Sequence, residues 1–152
     1  MLKKILLTIA AILVAGGAMI LYGTYKAADD FVQKNEPQLR AYAQMDEAAQ
    51  NQYVSEHADE ILTQAQAEAK PEDKANVDVL NKIKDDPAVR QAMNDLGRAI
   101  MAAAILHSDE IVKDLNAALK EKFEQEKSQL TGRLEKYGEA LEAAEAKLKA
   151  AQ

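Results

Sequence analysis

The chain has 152 residues, 48% apolar and 29% charged, with a formal net charge of −6 and no cysteine. That length suits one domain, and the missing thiols exclude a disulfide scaffold, a cysteine-ligated zinc or iron–sulfur site and a cysteine nucleophile. The acidic balance argues against nucleic acid as a partner, because phosphate binding needs a basic surface.

Six Gly and three Pro leave few turn positions in an alanine-rich chain, and both features favour long helices. The sequence therefore predicts an all-α fold: a single N-terminal transmembrane helix followed by an extracytoplasmic helical bundle.

Residues 5–25, ILLTIAAILVAGGAMILYGTY, carry no charge. A helix of about 21 residues, rising ~1.5 Å each, crosses the ~30 Å hydrocarbon core. Tyr22 and Tyr25 stand at its outer end, where interfacial aromatics belong. Residues 1–28 are thus read as a signal-anchor and 29–152 as the bundle. The competing reading is a cleaved signal peptide, with Lys3 and Lys4 as its basic start and Gly16 and Ala18 before the cut. Met19, Ile20, Leu21 and Tyr22 keep the chain apolar past that point and favour an uncleaved anchor.

Lys3 and Lys4 on one side face Lys26, Lys34 and Arg40 on the other, so basic residues alone do not orient the segment. The short basic tail resembles a signal start, and long domains translocate largely regardless of charge. The bundle is accordingly expected outside the cytoplasm, in a periplasm or on the cell surface; cleavage would make it a soluble secreted or periplasmic protein. Thr8, Ala11, Ala15 and Ala18 form a small-residue face on which a second membrane helix can pack.

After residue 25 come all 25 acidic residues and all but two of the 19 basic ones, giving that part of the chain a net charge of −8. Sliding the chain on itself by 50 residues aligns Lys34-Asn35-Glu36-Pro37 with Lys84-Asp85-Asp86-Pro87. In the same register His57-Ala58-Asp59-Glu60-Ile61 aligns with His107-Ser108-Asp109-Glu110-Ile111. Two motifs in one register predict a duplicated helical hairpin, with units at 34–70 and 84–120. The Pro motif reads as a helix start, an acidic cap before Pro at the first helical position. The His motif reads as a helix boundary, with Ser108 a good cap and Ala58 a poor one.

Leu39, Tyr42, Met45, Ala49 and Tyr53 fall three or four apart, as an amphipathic helix requires. Val89, Met93, Leu96, Ile100, Met101 and Ile105 lead into a stretch apolar nearly all round, which predicts a central buried helix or a partner-binding surface. It is too short for a second membrane span. Leu130, Leu134, Tyr137, Leu141, Ala144 and Leu148 alternate spacings of four and three, a coiled-coil-like stripe. Leu115, Leu119 and Phe123 extend it upstream with a small phase shift. A long amphipathic helix over about 109–150 follows, with Gly132 and Gly138 as candidate bends and Glu145–Lys149 as an i,i+4 pair. That stripe packs back on its own bundle or pairs with another chain.

No nucleophile motif or phosphate-cradling glycine loop occurs, so neither an enzyme nor a bound cofactor is expected. With few aromatics after Tyr25, a small-molecule interior is not expected either. The one chemical constellation is His57 and Glu60 meeting His107 and Glu110 across a two-fold, a donor set that suits a divalent transition metal. A histidine near a helix carboxyl end needs no metal, however. The leading functional expectation is a membrane-anchored helical binding protein, a scaffold, accessory subunit or envelope-linking factor. Its expected contacts are Leu96, Ile100, Met101 and Ile105, together with Leu130, Leu134, Tyr137, Leu141 and Leu148; self-association is included. A cleaved chaperone-like protein is the second reading and a metal-binding bundle the third.

Overall fold

The computed structural model describes residues 25–68, 71 and 74–151, and every element among them is helical. In chain order these are α1 (Tyr25–Ala43), α2 (Glu47–Glu68), α3 (Lys74–Ile83), α4 (Pro87–His107), α5 (Asp109–Lys113), α6 (Ala117–Ser128) and α7 (Leu130–Ala150). The expected membrane segment, including Thr8, Ala11, Ala15 and Ala18, lies outside the described residues apart from Tyr25. Among the described residues no helix is long and apolar enough to cross a membrane.

Helix α4 is the axis of the bundle. It contributes Val89, Leu96, Ala99, Ile100 and Ala103 to one apolar cluster, shared with Ile83 of α3 and with Leu130, Tyr137, Leu141 and Ala144 of α7. Its C-terminal half contributes Ala102, Ala104 and Ile105 to a second. There it meets Val32, Leu39, Tyr42 and Ala43 of α1, Val54 of α2, Ile111 of α5 and Phe123 of α6. No residue over 92–108 is exposed, as a helix apolar nearly all round demands. Each fully buried Leu or Ile there is worth about 1.5–3 kcal/mol relative to leaving it in water.

The start of α4 follows from local chemistry. Asp86 accepts from the backbone N–H of Ala88 at 3.0 Å and of Val89 at 3.3 Å, and Pro87 occupies the first turn, where its missing N–H costs nothing. Ser108 serves two helices. Its backbone N–H closes the last turn of α4 on the Ile105 carbonyl, and its hydroxyl accepts from the Ile111 N–H to begin α5. Asn116 caps α6 by accepting from the Leu119 N–H at 2.8 Å. Asp46 does the same for α2 through the Ala49 N–H.

Two expectations are corrected. The Pro37 motif is not a helix start: Pro37 lies inside α1, because the helical ladder is already running from Tyr25 when it arrives. The long helix over 109–150 is three helices, broken after Lys113 and at Gln129. Neither glycine makes a break. Gly132 and Gly138 lie within α7, and the phase shift between Phe123 and Leu130 is absorbed at Gln129, so that Phe123 enters one cluster and Leu130 the other. At the two histidine motifs the helix runs through Ala58 within α2 and breaks at Ser108 between α4 and α5.

Partner contacts set the helix directions. Glu47 pairs with Arg98, and Ser55 and Asp59 contact Arg90, so α2 runs antiparallel to α4. Arg133 reaches the Asp95 carbonyl and Lys147 lies near Asp86, so α7 is antiparallel to α4 as well. Helices α2 and α4 approach closely at Gly97, where a Cβ would run into Cγ1 of Val54. Only a glycine lets α2 and α4 cross at this distance.

Candidate functional site

The two histidine motifs do not meet. Ser55 and Asp59, which bracket His57 on α2, both contact Arg90 near the start of α4. His107 stands at the other end of that helix, and the 17 residues from Arg90 to His107 measure about 25 Å along its axis. His57 is exposed, its ring stacked on Tyr53 with centroids 5.9 Å apart. Glu110 is exposed and 3.5 Å from Lys113. The Glu60 side chain lies outside the described ones. Among the described residues no group of three or more His, Cys, Asp or Glu is placed to hold a metal ion.

The apolar contact candidates divide into two sets. Leu96, Ile100, Ile105, Leu130, Tyr137 and Leu141 are buried in the chain's own core. Their apolar surface is already taken up by helix–helix contacts within the molecule, which corrects the expectation that they form an outward surface. The stripe on α7 packs back onto α3 and α4. Met101, Leu134 and Leu148 are half-buried at the rims of the two clusters. The same rims expose part of Met45, Leu106, Leu115 and Leu119. Glu145, expected on a flank, is buried, with Lys149 at 3.3 Å.

Sequence reasoning overlooked the arginines. The chain has four of them, Arg40, Arg90, Arg98 and Arg133, and each ties separate elements together. Arg40 of α1 pairs with Asp114 after α5, as well as with Glu36 in its own helix. Arg90 joins α4 to Asp59 of α2 and to Asp85. Arg98 joins Glu47 of α2 at 2.7 Å and Asp95 at 2.6 Å.

Arg133 of α7 pairs with Glu126 of α6 at 2.5 Å, donates to the Asp95 carbonyl at 2.8 Å and donates to Gln129. It thereby pins the α6–α7 corner to α4. A planar guanidinium with several donors suits such multi-partner ties better than an ammonium. The signal available in sequence was the contrast between four arginines and fifteen lysines, but it names no partners.

Burial shapes the ionisable groups. Desolvation pushes the phenols of Tyr42 and Tyr137 well above their ordinary range. For Arg90, burial lowers the guanidinium, but the hydrogen bonds it donates to Asp59 and Asp85 outweigh that and leave it raised. Arg98 behaves alike, with Asp95 and Glu47 as the compensating carboxylates.

The chain matches no family model, no curated protein and no solved structure. Its class is defined by its own architecture: an all-helical bundle wound around one buried central helix.

Proposed function

We propose that this is a membrane-anchored binding protein whose helical bundle lies outside the cytoplasm and acts through helix–helix contacts with a protein partner, a second copy included. The uncharged run of residues 5–25 carries the reading. It is long enough to span a bilayer. The half-buried rims, with Met45, Leu106, Leu115 and Leu119 at one cluster and Leu134 and Leu148 at the other, are the apolar surface left for a partner. Affinity there comes from removing that surface from water, at about 25 cal/mol per Å² before ordering costs.

The test is to extract the full chain from its native membranes in mild detergent and measure the mass and composition of the particle. The expected result is a complex of defined stoichiometry, with a partner or with itself. It should weaken when Leu115 and Leu119 are replaced by Ser. A monodisperse monomer with nothing bound in fixed proportion overturns the reading.

A further inference from the structure

We infer that α2 is a releasable helix: its first half lies on α4 along a polar seam that opens locally, more readily in high salt, while the other neighbours of α4 stay in place. The device works with or without a membrane anchor.

The neighbours of α4 hold it by different chemistry. Helix α7 lays Leu130, Tyr137, Leu141 and Ala144 into the core, and α1 lays in Val32, Leu39, Tyr42 and Ala43. Over residues 47–57 of α2 the buried side chains are Gln50 and Val54. Gln50 donates to the Tyr42 carbonyl of α1 and not to α4. Tyr53 tilts against the Tyr42 ring but stays half-buried at the rim. Val54, seated at Gly97, is thus the one buried apolar side chain that this half of α2 brings to α4.

The rest of the contact is polar and recurs at every fourth residue. Glu47 pairs with Arg98, and Ser55 and Asp59 both contact Arg90. Asn51 falls midway between Glu47 and Ser55, and Asn94 midway between Arg90 and Arg98. In antiparallel helices the two asparagines therefore share one stripe and one level. The Oδ1 atoms of both are buried without a hydrogen-bond partner.

A buried acceptor left unsatisfied costs free energy in the closed state and recovers water on opening. Lifting α2 returns two amide oxygens to water at the expense of Val54 and Gln50, whereas lifting α7 exposes four apolar residues. Such a segment belongs at the low-stability end of a fold. Glu47 and Asp59 are 68% and 46% exposed, so salt reaches both ion pairs and screens them. The non-helical residues 44–46 supply the pivot. Release bares the α4 surface around Gly97, flanked by Arg90 and Arg98.

Native-state hydrogen exchange on the full chain in mild detergent tests this. Backbone amides of residues 52–57 in α2 are compared with those of residues 100–105 in α4, which serve as the internal reference. The comparison is made in about 50 mM and about 1 M NaCl, between which the screening length falls several-fold. In the lower salt the α2 amides should exchange at least about tenfold faster than the α4 amides, as a local opening requires. Raising the salt should speed the α2 amides several-fold relative to the reference. Replacing both asparagines, Asn51→Leu with Asn94→Leu, should slow the α2 amides several-fold. One common rate and salt response for both segments of the native chain overturns the release. A folded double variant whose α2 amides exchange as before overturns the asparagine pair as its cause.

Discussion

Gly97 and Gly132 have opposite reasons to be glycine. At Gly97 a methyl group would run into Cγ1 of Val54, and a β-branched side chain is stiff about its first torsion. Gly97→Ala should therefore cost about 1–3 kcal/mol. Adding Val54→Ala should recover part of that loss, a coupling that urea denaturation of the four-variant cycle measures. At Gly132 a Cβ meets nothing within 4 Å. Gly132→Ala should stabilise the chain by up to about 1 kcal/mol through helix propensity alone.

The buried phenols set the alkaline limit. Their folded pKa lies above the unfolded value, near 10, so below that pH both states are protonated and stability is unaffected. As pH rises past 10 the unfolded chain loses the proton first, and the folded state loses ground. The Tm should fall from about pH 10 upward, and Tyr42→Phe and Tyr137→Phe should each make that fall shallower. Unchanged alkaline slopes would show that these phenols do not control it.

At the scale of the elements, caps and arginine ties do different work. Asp86→Ala removes the acceptor for two N–H groups at the start of α4 and should cost about 0.5–2 kcal/mol. Arg133→Met leaves Glu126, only 18% exposed, without its partner and should cost about 1–3 kcal/mol. Arg98→Met frees Glu47 and Asp95, 68% and 32% exposed, which water can resolvate, and should cost less. Equal losses for the two would refute this ranking.

These elements differ in how far sequence foretold them. The Asp86-Pro87 start and the Ser108 boundary were legible because caps act within three residues. The burial of the second half of α4 was legible because residues 99–106 leave no polar face. Pro37 misled because the same four-residue motif starts a helix only where none is already running. The break at Gln129 and the arginine ties depend on partners tens of residues away, and local pattern does not encode them. The metal reading turned on whether two histidine motifs share a level along α4, and the antiparallel course of α2 places them at opposite ends.

At the scale of the whole molecule, a central helix is buried by its own neighbours among the described residues, in a chain with an acidic charge balance. What such a body does depends on where it is held and what meets its apolar rims. The account stands on residues 5–25 remaining attached and holding the bundle at a membrane. The most direct test is the intact mass of the protein recovered from alkali-washed cell membranes. The account predicts the full chain in the membrane pellet with its N-terminal segment present. A soluble protein shortened by about 18 residues, the length of a signal peptide cut after Ala18, would contradict it.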